Sequence, residues 1–251
     1  MLEDIFGIRD RVAVVTGGSS GIGFAIAQCL AEAGARVAIV NRRPAEGSKA
    51  AGEIGKGVSS YPADVCQRKQ LEEMVEAVER DMGPVQILVN SAGINIRKKA
   101  IEFETKEWDQ IIDINLKGTF LACQVIGQKM LKRKQGRVLN ISSVASSIGL
   151  LDRAPYCASK GGVSQLTKCL AIEWAPYNVT VNAVGPGYVR TPLIEPLIND
   201  PDFQEKVEST VPLGRVGETE DLRGIVLLLC SDAAAYITGQ TMYVDGGWSI
   251  W

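Results

Sequence analysis

Tyr156 and Lys160 stand four residues apart in Tyr156-Cys157-Ala158-Ser159-Lys160. On a helix, side chains at that spacing share a face. An ammonium beside a phenol stabilises the phenolate and lowers a pKa that starts near ~10. Such a pair gives and takes a proton near neutral pH. The chain contains no histidine. That excludes a His-based triad, a His-zinc site and a His general base. Acid–base chemistry falls to Tyr, Lys, Cys, Asp or Glu, and Tyr156 with Lys160 is the most economical choice. Upstream, Asn140-Ile141-Ser142-Ser143 ends an expected strand, and Ser143 can donate a hydrogen bond to a carbonyl. Asn90-Ser91-Ala92-Gly93 follows another strand. Both stretches fall on the carboxyl edge of the sheet, where open α/β sheets bind ligands.

A second feature is the run Thr16-Gly17-Gly18-Ser19-Ser20-Gly21-Ile22-Gly23 between an expected strand and an expected helix. Glycines let the backbone turn sharply and approach a pyrophosphate, and the helix N-terminus offers N–H groups and a positive dipole end. The spacing is Gly-x-x-x-Gly-x-Gly, and no Gly-Lys-Ser/Thr follows, so a nucleotide-hydrolysing P-loop is disfavoured. At the end of the second strand an acidic residue would bind a ribose 2′-OH and repel a 2′-phosphate. This chain has Asn41-Arg42-Arg43 there. Two guanidinium groups can clamp a phosphate dianion. The expectation is therefore NADP(H) in preference to NAD(H), with NAD(H) still possible.

The elements that must position these residues alternate strand and helix. Strands are expected at 11–16, 36–40, 58–63, 86–89, 137–141, 179–184 and 241–244. Helices are expected at 22–33, over Leu71, Met74, Val75, Val78 and Met82, across about 106–132, from Pro155 through Trp174, and at 222–229. Alternation implies a parallel sheet covered on both faces. Pro186, Pro192, Pro196, Pro201 and Pro212 punctuate residues 186–215, which read as a long loop with a short helix and a lid over the substrate. No repeat, linker or low-complexity tract breaks the chain.

Composition narrows the functional class. The chain has 251 residues, 46% of them hydrophobic and 22% charged, with 27 Lys plus Arg against 29 Asp plus Glu. That suits one large α/β domain. The net charge of -2 argues against a polyanion-binding surface. The apolar runs fall short of the roughly 20 residues that a bilayer span requires. The acidic N-terminus lacks a signal-peptide core, so the cytoplasm is the expected location, with neither nucleic acid nor membrane as a partner. Six scattered cysteines without a CxxC pair read as reduced, mostly buried thiols, and no metal site is expected.

Taken together, Thr16–Gly23, Asn90–Gly93, Asn115, Ser143, Tyr156/Lys160 and Pro186-Gly187 resemble the short-chain dehydrogenase/reductase family over nearly the whole chain. The resemblance implies a single NAD(P)-binding Rossmann domain over 1–251: a doubly wound, seven-stranded parallel sheet with helices on both faces. It implies an oxidoreductase in which Ser143 orients the carbonyl, Tyr156 transfers the proton, Lys160 binds the nicotinamide ribose and tunes Tyr156, and Asn115 supports a water-linked proton relay. Ser143 is preferred to Ser142 because it lies thirteen residues before Tyr156. The resemblance places Gly17, Ser19, Ser20, Gly21, Ile22 and Gly23 on the pyrophosphate, and Asn41, Arg42 and Arg43 on the ribose phosphate. Asp64 and Val65 meet the adenine. Asn90, Ala92 and Gly93 shape the pocket, and Pro186, Gly187, Val189 and Thr191 hold the nicotinamide. Asn90-Ser91 departs from the family's usual Asn-Asn.

A narrower likeness is to gluconate 5-dehydrogenases and the neighbouring 2-deoxygluconate 3-dehydrogenases, carried by Gly93–Arg97, Ala154–Val163, Gln165–Lys168, Gly185–Tyr188 and Val244–Trp248. Such substrates carry a carboxylate, for which Arg97 and Arg153 are the candidate cations. Trp108, Trp174, Trp248 and Trp251 read as core or interface anchors. The family also implies a homotetramer with the helices around 106–132 and 155–174 and the C-terminal strand between subunits. Two other readings stand beside this one. A 3-oxoacyl thioester reductase uses the same four residues but favours a basic docking surface. A non-catalytic nucleotide sensor or scaffold has no need of them. An extended-type epimerase is disfavoured, because the length leaves no room for a separate substrate domain.

Overall fold

A computed structural model describes residues 6–192 and 194–250. Seven strands form one parallel sheet in the order β3-β2-β1-β4-β5-β6-β7. They are β1 (Val12–Thr16), β2 (Arg36–Asn41), β3 (Val58–Pro62), β4 (Val85–Asn90), β5 (Gly136–Ile141), β6 (Val179–Pro186) and β7 (Thr241–Val244). β1, β5 and β6 are buried throughout, and β4 is buried except at Gln86. Their predominantly apolar sequence reflects helices on both sides.

Alternate side chains of each strand feed two separate cores. Val12 and Val14 point to one face with Leu88, Val138 and Val181. Helices α3 (Arg68–Met82), α5 (Gly118–Arg133) and α6 (Ala154–Trp174) cover that face. Ala13 and Val15 point to the other with Ile39, Ile87, Val89 and Leu139. There α1 (Gly21–Glu32), α2 (Pro44–Ile54) and α8 (Arg223–Cys230) pack. Helix α4 (Thr105–Ile112) precedes α5, and α7 (Pro201–Thr210) lies between β6 and α8. The chain winds outward in opposite directions from β1 and β4. The loops after these two strands therefore diverge and leave a crevice at their carboxyl ends.

The expected strands and the amphipathic helix at Leu71–Met82 are present. The expected stripe on α6 is buried at Val163, Leu170 and Trp174, with Leu166 packed against it. Helix α2 carried no sequence expectation. Its buried face is Gly47, Ala50 and Ala51, which leaves no large apolar residue to mark a 3.6-residue period. The single helix expected across about 106–132 is interrupted by a π turn at Asp113–Lys117. Such turns recur at functional sites, and Asn115 lies at its centre. All six cysteines are free thiols. Cys29, Cys123 and Cys230 are buried, whereas Cys169 is exposed. Among the described residues, no helix is long and apolar enough to cross a membrane.

Helices α5 and α6 approach closely because Gly127 has no side chain. A Cβ there would lie 2.4 Å from Cη2 of Trp174. Gly52 on α2 has no neighbouring atom within 4 Å of such a Cβ. Gly127→Leu should therefore lower the melting temperature by several degrees, since overpacking of about 1–3 kcal/mol exceeds the helix-propensity gain of about 1 kcal/mol. Gly52→Ala has only the propensity gain and should raise it. Scanning calorimetry of both variants checks the contrast.

Candidate active site

The crevice begins where β1 ends. The Thr16 hydroxyl oxygen accepts the N–H groups of Ser91 and Ala92 at 3.2 and 3.3 Å, holding the loop after β4 against the loop after β1. Gly17 has φ +69°, and a Cβ on it would lie 2.8 Å from backbone atoms of Ala92. A Cβ on Gly23 would lie 2.3 Å from the Gly17 carbonyl oxygen. The turn is thus packed to a density that only glycine permits at these two positions. Ser20 occupies the N-cap of α1 without a side-chain cap bond. Gly21, Ile22 and Gly23 accordingly offer their N–H groups to the cleft.

The cleft encloses about 550 Å³, a size typical of ligand pockets. Gly17, Ser19, Ser20, Gly21, Ile22 and Gly23 line its floor. Asn41, Arg42, Arg43, Asp64 and Val65 line one end. Ala92, Gly93, Ser143, Tyr156 and Lys160 line the other, with Pro186, Gly187 and Thr191 along the side. Arg43 also pairs with Glu46 at 2.5 Å on an exposed turn of α2. A dinucleotide fits this lining: uncapped N–H groups sit centrally for its phosphates, cationic side chains sit at one end, and a phenol with an ammonium sits at the other.

Three residues expected to serve the cofactor or the proton relay stand outside the lining. Asn90 is turned inward and is 3% exposed. It donates to the Asn140 Oδ1 at 2.9 Å and to the Cys123 Sγ at 3.2 Å, joining β4 to β5 behind the cleft. Ser91, the first residue beyond the strand, lines the cleft instead. Val189 is buried and pairs with Gly217. Asn115 is wholly buried beneath the loop after Gly93. Its Oδ1 accepts the Ile94 N–H at 2.8 Å, and its Nδ2 donates to the Ile94 carbonyl at 2.9 Å and to Ser159 Oγ at 3.0 Å.

The two serines after β5 do different things. Ser142 is committed to α6 through the Lys160 carbonyl at 3.2 Å and Ser164 Oγ at 2.8 Å. Ser143 accepts the Ala145 N–H at 3.1 Å, which orients its oxygen and leaves its own proton for another acceptor. Lys160 is 6% exposed. Its Nζ donates to the Ile141 carbonyl at 2.7 Å and lies 5.8 Å from the centroid of the Tyr156 ring. Burial pushes its pKa down to about 8.

The phenol departs from expectation. Burial pushes the Tyr156 pKa up, and the Ser143 hydroxyl and the Arg153 charge oppose that rise. The Lys160 charge is itself disfavoured in the same dry site, and its Nζ donates to the Ile141 carbonyl. Arg97 and Arg153 lie beyond the cleft lining. The Lys98 N–H donates to the Asp152 carbonyl at 2.9 Å, so the two arginines sit on neighbouring, stitched loops. Sequence reasoning gave no role to Ser91, Asn95 or Tyr188. Ser91 and Asn95 line the cleft, and their place in the loop after β4 was the available signal.

Residues 17–249 match the family described as Enoyl-(Acyl carrier protein) reductase. A gluconate 5-dehydrogenase of Gluconobacter oxydans (strain 621H) is 38% identical over 248 residues, covering 97% of this chain and 96% of the relative. The chain belongs to the short-chain dehydrogenase/reductase family. It is an oxidoreductase. An NAD-dependent glycerol dehydrogenase of Listeria innocua is 37% identical and covers 98% of this chain and 96% of the relative. The crystal structure of a gluconate 5-dehydrogenase from Burkholderia cenocepacia J2315 in complex with NADP and tartrate superposes with a TM-score of 0.96 at 34% identity, covering 100% of both chains.

The buried ammonium sets a pH signature for the enzyme. Between about pH 8 and 10.5 the unfolded chain holds the Lys160 proton and the folded chain does not. Stability rises with pH wherever the unfolded state binds more protons. The melting temperature of the wild type should therefore climb relative to Lys160→Met as pH rises from 8 to 10. Parallel curves would mean that Lys160 titrates normally.

Proposed function

We propose that the enzyme catalyses reversible hydride transfer between NADP(H) and a small polar ketone or secondary alcohol, of the sugar-acid class that includes gluconate and 5-ketogluconate. The observation that carries this reading is the convergence of Ser143, Tyr156 and Lys160 at one end of a cleft whose other end bears Arg42 and Arg43. NAD(H) remains usable, in keeping with the NAD-dependent glycerol dehydrogenase of Listeria innocua. A bound nicotinamide supplies the hydride. Gly17 to Gly23 would hold the pyrophosphate, Arg42 and Arg43 the ribose phosphate, Asp64 and Val65 the adenine, and Thr191 with Pro186 and Gly187 the nicotinamide end.

The chain's own groups handle the proton and the substrate. In the reductive direction Ser143 donates a hydrogen bond to the substrate carbonyl oxygen, and the Tyr156 hydroxyl gives its proton to that oxygen as it gains charge. A raised phenol pKa suits this step, because the proton is present until the acceptor develops charge. Lys160 then restores the proton to the tyrosinate from an ammonium whose pKa is about 8. Asn115 is a positioning residue, since it fixes Ile94 and Ser159 around Lys160 without lining the cleft. Arg97 and Arg153 attract the substrate carboxylate. Residues 186–215 form the substrate loop of a single domain.

A homotetramer is part of the same reading. It is supported by exposed apolar side chains on the surfaces concerned: Trp108 on α4, Phe120 on α5 and Ile172 on α6. The description of the matched family favours a second substrate class, acyl thioesters. A panel of sugar acids, polyols and acetoacetyl thioesters, each with both cofactors and followed by nicotinamide absorbance, separates the classes. Turnover confined to thioesters would replace the sugar-acid assignment.

Tyr156→Phe should lower kcat by about 10²–10⁴-fold while leaving dinucleotide affinity within twofold, read by fluorescence titration of NADPH. Replacing Arg42 and Arg43 together by alanine should raise the KM for NADP by about tenfold or more and leave the KM for NAD nearly unchanged. An equal rise for both cofactors would move the 2′-phosphate site elsewhere.

A further inference from the structure

The two arginines beyond β2 are held differently, and an acidic residue on α2 is the reason. Arg43 is the N-cap of α2. Its carbonyl oxygen accepts the Asn41 Nδ2 at 2.6 Å and the Gly47 N–H at 3.1 Å. The Asn41 amide lies against this turn because position 47 is glycine: a Cβ there would fall 2.2 Å from Asn41 Oδ1 and 2.1 Å from Ser60 Oγ. The backbone of Arg43 is thereby fixed to the end of β2, and only its side-chain torsions are free to change.

That side chain has an anion at hand. Arg43 pairs with Glu46 at 2.5 Å across an i,i+3 spacing, with the guanidinium 73% and the carboxylate 45% exposed. Glu46 is the acidic residue in the first turn of α2, whose N-terminus has no side-chain cap and favours negative charge. A ribose 2′-phosphate would seek the same guanidinium. Arg42, one residue earlier, has no carboxylate partner within ion-pair distance among the described residues. Both arginines line the cleft, and Glu46 does not. The Arg43–Glu46 pair stands in solvent, so its hold is weak enough to be exchanged for a phosphate dianion.

We propose that Glu46 sets the cofactor preference as a positioning residue acting through Arg43: it stands in for the 2′-phosphate when that group is absent and competes with it when it is present. This deepens the NADP(H) reading above and rests on it. The unpaired Arg42 then carries most of the affinity for the 2′-phosphate, and Arg43 contributes only what remains after Glu46 is displaced. NAD(H) lacks that phosphate, so it leaves the Arg43–Glu46 pair in place. Glu46 thus narrows the gap between the two cofactors without touching either.

The test is fluorescence titration of the enzyme with NADPH and with NADH, read as dissociation constants. Glu46→Gln should tighten NADPH about three- to fivefold and leave NADH within about twofold. In an Arg43→Ala background the same substitution should lose most of that gain, which a general effect on helix α2 would not do. Arg42→Ala should weaken NADPH more than Arg43→Ala does. An unchanged NADPH constant in Glu46→Gln, an equal gain for NADH, or a full gain without Arg43 would overturn the role of Glu46. If replacing Arg42 and Arg43 together by alanine leaves NADPH unweakened, the 2′-phosphate binds elsewhere, and the role of Glu46 falls with that reading. If the double variant loses NADPH while Glu46→Gln gains nothing, only the glutamate is wrong.

Discussion

Helix α6 is fastened to the carboxyl end of β5 by buried polar contacts that leave it one register. Lys160 Nζ donates to the Ile141 carbonyl at 2.7 Å. Ser142 bonds the Lys160 carbonyl and Ser164, and Asn140 Nδ2 donates to Thr167 Oγ1 at 2.9 Å. A buried donor or acceptor left without a partner costs about 1–3 kcal/mol, so sliding α6 by a residue would break several such bonds at once. Tyr156 lies one turn before Lys160 on the same helix. Its distance from Ser143, which immediately follows Ser142, is thereby set by the sheet rather than by the loop between them. Asn90 extends the ladder inward to β4 through Asn140. Tyr156, Ser143 and the ends of β4 and β5 are thereby tied into one assembly.

The same burial governs the electrostatics. Removing water disfavours both the tyrosinate and the ammonium, so the phenol is pushed up and the lysine is pushed down to about 8. The two groups, nearly equal in acidity when free, are driven apart, so a proton passes downhill from the ammonium to a tyrosinate. The charge of Arg153 opposes that rise of the phenol.

Relatives with similar identity act on different alcohols. One is named for gluconate and another for glycerol, and both match nearly the full chain. Fold and proton machinery therefore do not decide the substrate. Outside the cleft lining of this chain, the loops bearing Arg97 and Arg153 are stitched together, and Tyr188 packs its ring on Trp248 and Phe203. Aromatic rings make such contacts at low entropic cost, since each has only two side-chain torsions to fix.

Much of this was legible in the sequence. Val12–Val15 is an apolar run too short for a helix, and a strand buried on both faces looks that way. Tyr156 and Lys160 share a helical face because helix geometry leaves no alternative at a spacing of four. Gly17 and Gly23 announce a close backbone approach because no other residue lacks a Cβ. Helix α2 was not legible, since its buried face is glycine and alanine. The π turn was not legible either, because it arises from the fit of Asn115 against Ile94 and Ser159, residues 21 and 44 positions away. Local periodicity and residue chemistry travel with the sequence, and they determined the sheet, the phosphate turn and the proton pair. Burial and long-range contact exist only once the chain has folded. They alone decided that Asn90 faces inward, that the Tyr156 phenol is made less acidic, and that Tyr188 stacks on Trp248 and meets the edge of Phe203.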